Sequence, residues 1–91
     1  MGLRYKVEWS KQADKQISKF DRQIRKMIFA WVLKNLEETE NPRQHGKSLT
    51  ANLAGSWRYR IGDYRLLAEI QDEKIIILLL RVEHRSRIYE R

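Results

Sequence analysis

The chain contains no cysteine, and this absence excludes several kinds of site. Disulfides, cysteine-based zinc sites and thiol nucleophiles are ruled out across its 91 residues. Long apolar runs are also missing: the two longest, residues 27–33 and 75–80, are far shorter than the ~20 residues of a membrane-spanning helix. Residues 1–12 contain no apolar stretch, so we expect no signal peptide, no membrane association and a cytoplasmic location.

Carboxylates are scarce relative to basic side chains, which points to an anionic partner. Nineteen Lys and Arg stand against twelve Asp and Glu, giving a formal net charge of +7. A small basic domain of this kind is typical of proteins that bind nucleic acid, or else an acidic protein. The acidic residues are scattered, the only histidines are His45 and His84, and no glycine-rich phosphate loop is present. We therefore expect neither a metal nor another cofactor.

The first half of the chain reads as one strand followed by two helices. Its length suits one hydrophobic core, so we predict a single domain that covers residues 1–91. Alternating apolar and polar residues predict a strand before Ser10, and helical spacing predicts a first helix over 11–20. Ser10 and Asp21 are the expected N-caps, and the second helix should end before Asn41-Pro42.

The second half of the chain contains three predicted strands. Residues 57–61 and 64–71 are separated by Gly62-Asp63, which is a strong signal for a two-residue hairpin turn. The third strand, 74–82, is apolar on both faces, so we expect it to be the central one. The order β-α-α-β-β-β predicts an α+β fold in which a two-helix hairpin packs on one face of a small, mainly antiparallel sheet.

The stretch WRYRIGDYRLL places like charges opposite each other. With the turn at Gly62-Asp63, Arg60 faces Arg65, and both share with Arg58 the face opposite to the apolar side chains. Such a pair is destabilising unless an anion binds it, and the planar arginine side chain suits phosphate. The alternative is a solvated cationic face that Glu69 partly neutralises.

The C-terminal stretch VEHRSRIY adds an imidazole, a phenol and further guanidinium groups. If it crosses the arginine face, it brings His84, Arg85 and Tyr89 to the same phosphate. Metal-free RNA cleavage needs these group types, because one group takes the 2′-hydroxyl proton, another protonates the leaving oxygen, and cations stabilise the phosphorane. Taken alone, a histidine and a tyrosine are more often ordinary packing residues.

The motifs NPRQHGKSL, LAGSWRYRIGDYRLL and VEHRSRIY together resemble the RelE/ParE toxin superfamily, on its RelE-like side. The resemblance covers nearly the whole chain. It implies a toxin of a type II toxin–antitoxin system, a ribosome-dependent endoribonuclease that cuts mRNA and is held inactive by an acidic, RelB-like antitoxin. Its partners are then the antitoxin, the ribosome and mRNA.

The resemblance also implies which residues carry the cleavage. The catalytic candidates are Arg58, Arg60, Arg65, His84, Arg85 and Tyr89. The RNA-binding candidates are Lys47, Arg58, Arg60, Arg65 and Arg87. Arginine takes the place of lysine at positions 58 and 60 relative to the best-known member, and a tail histidine acts as acid or base in other branches. The roles of Tyr89 and His84 therefore stay open.

Two rival functions remain. A ParE-like toxin shares the fold but acts by binding DNA gyrase, without nuclease chemistry, and a plain nucleic-acid-binding module needs only the basic surface. The presence of Arg85 and Tyr89 favours the RelE-like function over the ParE-like one. Arginine stays protonated in proteins and moves protons poorly, so we expect weak cleavage unless a larger partner positions the RNA.

Overall fold

The computed structural model describes residues 2–49 and 55–84. Two helices pack against a five-stranded, mostly antiparallel sheet, which confirms the predicted α+β class. The elements are β1 (Lys6–Trp9), α1 (Lys11–Ser18), α2 (Arg22–Asn35), β2 (Lys47–Ser48), β3 (Ser56–Ile61), β4 (Tyr64–Gln71) and β5 (Ile76–His84). Among the described residues, neither helix is long and apolar enough to cross a membrane.

Both helices begin at the predicted caps. The Ser10 hydroxyl accepts a hydrogen bond from the Ala13 amide at 3.0 Å, and the Asp21 carboxylate accepts one from the Ile24 amide at 3.1 Å. Each cap satisfies an amide that the helix itself leaves unpaired. The apolar sides of the helices and one face of the sheet bury a common core, whose largest fully buried side chains are Tyr59, Ile17, Ile28, Leu36, Leu66, Ile77 and Leu79.

The hairpin between β3 and β4 has the register that the sequence predicts. Arg60 pairs with Arg65 and Ile61 with Tyr64, and the turn residues are Gly62 and Asp63. Gly62 has φ +60°, as the first central residue of a type II′ turn requires. The arginines consequently lie on the open face of the sheet, away from the helices.

The prediction that the last strand is central is wrong. The strand order is β1-β5-β4-β3-β2, so β4 occupies the middle and β5 lies between β1 and β4. Two pairings place β4 in the middle: β1 pairs with β5 in parallel at one edge, and the two-residue strand β2 pairs with β3 at the other. The apolar run of β5 fits its interior position, because an interior strand need not be the middle one. Only the face toward the helices is buried, through Ile77, Leu79 and Val82.

A β-bulge in β5 sets the direction of every side chain beyond it. Leu67 pairs with Arg81 and the next residue, Ala68, pairs with Leu79, so Leu80 is the extra residue. Leu79 and Val82 are both buried although they lie three residues apart. The bulge therefore turns Arg81 and Glu83 to the open face of the sheet, whereas alternation without a bulge would direct both toward the core.

Candidate functional site

Four cationic side chains line one pocket at the β2–β3 edge of the sheet. The pocket has a volume of about 530 Å³, and its cations are Lys47, Arg58, Arg60 and Arg65. Trp31, Gln44, His45 and Gly46 complete its described lining, which includes no carboxylate. The structure thus brings together four of the residues predicted to bind RNA, and three of those predicted to cleave it.

Strand pairing places these cations directly opposite one another. Lys47 faces Arg58 across β2 and β3, and Arg60 faces Arg65 across β3 and β4. Each like-charge pair costs roughly 0.2–1 kcal/mol relative to neutral residues. Within residues 2–49 and 55–84, no carboxylate forms an ion pair with Lys47, Arg58 or Arg60. The pocket therefore holds concentrated positive charge suited to an anion.

Two carboxylates near the arginine face have contacts of their own in the sheet. Glu83 pairs in register with Arg65, but its carboxylate forms an ion pair with Arg81 at 3.0 Å. Glu69 accepts a hydrogen bond from the Gln71 side chain at 2.9 Å and is not among the described pocket residues. These contacts argue against the alternative in which Glu69 neutralises the arginine face.

The segment before β2 is held close to β3 by three contacts. The buried Tyr59 hydroxyl donates to the Pro42 carbonyl at 2.7 Å, and the Trp57 indole donates to the His45 carbonyl at 2.6 Å. Gly46 has φ +82°, and a side chain there would collide with the Arg58 carbonyl. Only glycine permits this approach, which brings Lys47 beside Arg58.

Arg43 anchors the other end of this segment. Its guanidinium makes two hydrogen bonds with Asp72, at 3.1 and 2.9 Å, and lies 5.8 Å from the Trp57 ring centre. The Tyr5 hydroxyl donates to the same carboxylate at 2.6 Å. The Arg43 bonds, and then the Tyr5 bond, lower the pKa of Asp72, while the bond to this carboxylate raises the pKa of Tyr5.

His84 does not join the arginines, which corrects the expectation that it faces the same phosphate. Because of the bulge at Leu80, His84 pairs with Tyr64 on the helix-covered side of the sheet. The two ring centres lie 4.9 Å apart, and Tyr64 also contacts Phe20 at 5.3 Å. The other predicted tail residues, Arg85, Arg87 and Tyr89, lie outside the described residues.

Two aromatic residues of the pocket were not among the predicted site residues. Trp31 fits the apolar stripe of the second helix, and nothing in its sequence context indicates a pocket position. His45 lies two residues before Lys47, so proximity to a predicted RNA-binding residue is the one signal that could have identified it. The described residues contain no group of three or more side chains placed to hold a metal ion.

Comparison with known proteins places this geometry in a family. The family described as the ParE toxin of type II toxin–antitoxin systems matches residues 7–89. Toxin RelG of Mycobacterium tuberculosis is 34% identical over 87 residues, which cover 96% of this chain and 98% of RelG. The chain belongs to the RelE/ParE family of type II toxin–antitoxin toxins.

Solved structures of RelE/ParE toxins share the fold. The toxin–antitoxin complex RelBE2 from Mycobacterium tuberculosis contains a chain with a TM-score of 0.78 and 32% identity, which covers 92% of this chain and 94% of that one. The match to the isolated Escherichia coli RelE toxin has a TM-score of 0.72 at 22% identity. It covers 93% of this chain and 90% of the RelE chain. The latter likeness concerns the fold alone.

Proposed function

We propose that this toxin is a ribosome-dependent endoribonuclease that cuts mRNA without a metal. The observation that carries the proposal is the pocket in which Lys47, Arg58, Arg60 and Arg65 converge, with no carboxylate among its described lining residues. Similarity to Toxin RelG and to RelE structures supports the same function. Such a toxin would act in the cytoplasm, where ribosomes and mRNA meet.

The reaction divides into phosphate binding and proton transfer. The 2′-oxygen attacks the adjacent phosphorus while the bond to the 5′-oxygen breaks, and the 2′-proton must leave as the 5′-oxygen gains one. Arg58, Arg60 and Arg65 would hold the phosphate and stabilise the charge of the phosphorane. Arg85 would assist them, and Arg87 and Lys47 would bind the flanking backbone.

Proton transfer is the step that the pocket arginines serve poorly. Arginine stays protonated, so a different group must act as base or acid. His84 packs against Tyr64 on the other side of the sheet, and this placement favours Tyr89 over His84 for that role. Positioning of the mRNA by the ribosome can supply several kcal/mol of the remaining barrier, which would make free RNA a poor substrate.

The experiment is mRNA cleavage in a purified translation system, with analysis of the product ends. We expect ends that carry a 2′,3′-cyclic phosphate or its 3′-phosphate hydrolysis product, and no dependence of the chemical step on added magnesium. Tyr89→Phe should abolish most single-turnover cleavage, by roughly 100- to 10,000-fold, while His84→Gln changes it little. Products with 3′-hydroxyl ends would exclude attack by the 2′-hydroxyl.

A gyrase-directed toxin is the second candidate, because the matching family is described as the ParE toxin. Such a protein would cause gyrase-dependent DNA breaks and leave mRNA intact. Running the gyrase assay and the translation assay on the same preparation separates the two functions. DNA breaks without mRNA cleavage would assign the chain to the ParE-like branch.

The inhibitor of this toxin should be an acidic, RelB-like antitoxin. Relatives have been solved as toxin–antitoxin complexes, and the net charge of +7 favours an acidic partner. It would lay an amphipathic segment on the toxin and either cover the arginine face or displace the C-terminal segment. The association rate should fall steeply as salt rises, and a rate insensitive to salt would contradict electrostatic steering.

A further inference from the structure

Two aromatic rings share the cationic pocket, and binding of phosphate by cations does not account for Trp31. Trp31 from α2 and His45 from the segment before β2 both line it, and their ring centres lie 5.8 Å apart with planes at 69°. Inorganic phosphate and acidic side chains are bound by charge and hydrogen bonds. A planar apolar group beside the anion is the ligand feature that such rings would recognise.

Neighbouring side chains hold the Trp31 ring and the backbone of His45 in place. Trp31 contacts the fully buried Tyr59 ring at a centre distance of 5.6 Å, and the His45 backbone is held by the Trp57 indole. Each ring nonetheless stays only partly buried. The surface that remains open lies along the wall of the pocket, so a bound ring would meet aromatic surfaces already in position.

We propose that Trp31 and His45 form the base-binding wall of a nucleotide subsite in this pocket. The cations would hold the phosphate of the same nucleotide, with Arg58 and Arg60 as its ligands. The pocket volume of about 530 Å³ lies within the range that proteins use for small-molecule ligands. This inference rests on the proposed function for its ligand, RNA, and adds that the base is bound together with the phosphate.

The geometry requires an unpaired base. Within a duplex both faces of a base are covered by its neighbours, whereas a single strand can place a base on a protein ring. Stacking on a protein aromatic ring contributes roughly 5- to 100-fold in affinity per base. Every base has an aromatic face, so the wall selects single-stranded RNA without reading a particular sequence.

The test measures binding of a fluorescein-labelled hexaribonucleotide whose 2′-oxygens are methylated, so that it cannot be cut. Trp31→Leu and His45→Ala should each weaken binding by about 5- to 100-fold. Trp9→Leu is the matched control, because Trp9 lies on β1 at the opposite edge of the sheet and contacts Phe29. Thermal melting establishes which variants are folded, and His45→Ala carries the test if Trp31→Leu is not.

A scan of abasic positions along the same oligonucleotide locates the base. One position should weaken binding to the wild-type protein when its base is removed, and the same removal should have no further effect on Trp31→Leu or His45→Ala. A duplex of the same sequence should bind more weakly than the single strand.

Several outcomes would overturn the base-binding wall. Wild-type affinity in both aromatic variants, equal loss in Trp9→Leu, or no sensitive abasic position would each do so. If Arg60→Gln alone weakened binding, the pocket would bind phosphate only. Tighter binding of an acidic peptide than of RNA would show that the aromatic wall serves a protein partner. Because the oligonucleotide cannot be cut, RNA binding without ribosomal cleavage would contradict the proposed nuclease and leave the wall intact.

Discussion

Arg60 and Arg81 lie on the same open face of the sheet, but their surroundings differ. Arg81 forms an ion pair with Glu83 at 3.0 Å, whereas Arg60 faces Arg65 and no described carboxylate forms an ion pair with it. In the sequence both are arginines within a strand. The neighbouring side chains determine whether each positive charge is already neutralised. An arginine beside a carboxylate is already neutralised, while one beside another cation is left with charge for a ligand.

Arg43 differs from both Arg60 and Arg81, because its role is structural. It binds Asp72 through two hydrogen bonds and connects the segment before β2 to the turn between β4 and β5. Its charge is neutralised locally, yet it helps to place Lys47 beside Arg58. One kind of side chain thus builds the pocket, balances the neighbouring strand and supplies the charge at the site.

The largest effect on RNA affinity should follow from placing a carboxylate in the pocket. Lys47→Glu would face Arg58 across β2 and β3, converting a repulsive pair into an attractive one. RNA affinity should fall by about 10- to 100-fold, since a hydrogen bond to a charged group is lost and repulsion is added. Lys11→Glu makes the same change in net charge on α1, and its affinity should stay near wild type. Equal losses of RNA affinity in the two variants would mean that RNA responds to the net charge of the protein and not to the pocket.

The largest effect on the free energy of unfolding should come from disrupting the close contact between Gly46 and β3. Gly46→Ala puts a side chain against the Arg58 carbonyl at a residue with positive φ, and should lower the free energy of unfolding by about 1–3 kcal/mol. Gln44→Ala, two residues away and exposed, is the control and should change little. Urea denaturation gives both values, and a Gly46→Ala protein as stable as wild type would contradict the contact.

Breaking the Arg43 anchor should have a smaller and pH-dependent effect. Asp72→Asn should cost about 1 kcal/mol at neutral pH, because this pair is partly exposed. The folded-state pKa of Asp72 is lowered, so its stabilisation is complete above the unfolded value of about 3.9 and is lost as pH falls through the folded pKa. The stability gap between wild type and variant should narrow from pH 7 to pH 3. A gap that widened in acid would contradict the sign of this linkage.

The smallest effect should be a gain in stability. Arg60→Gln removes the like-charge pair with Arg65, so the free energy of unfolding should rise by roughly 0.2–1 kcal/mol in low-salt chloride. Sulfate should raise the melting temperature of the wild type more than chloride of equal ionic strength, and Arg60→Gln should lose most of that difference. If sulfate acted equally on both proteins, the cations would not form an anion site.

The hairpin was predictable because its information is local. Gly62-Asp63 fixes the turn, and alternation on each side fixes which residues face the core, so the Arg60–Arg65 pair could be derived. The helix caps at Ser10 and Asp21 were equally local. Each of these features depends on residues within a few positions of one another.

Other parts of the site depend on contacts between distant residues. The bulge at Leu80 reverses alternation late in β5, and it alone puts His84 behind the sheet. The change was visible as apolar positions 77 and 79 followed by 82, but the continuous apolar run before it conceals the break. The Arg43–Asp72 pair and the meeting of Trp31 with His45 join separate elements, and spacing along the chain does not report such contacts.

Single-turnover cleavage of ribosome-bound mRNA by Arg60→Gln and Arg81→Gln tests the central claim most directly. Both variants lose one arginine from the open face of the sheet, and they differ in whether Glu83 had already neutralised that arginine. Arg60→Gln should slow cleavage by about 100-fold or more, as expected when one group that stabilises the transition-state charge is removed. Arg81→Gln should cleave at close to the wild-type rate. Equal slowing by the two variants, or a larger effect of Arg81→Gln, would contradict the assignment of the hairpin arginines to the scissile phosphate.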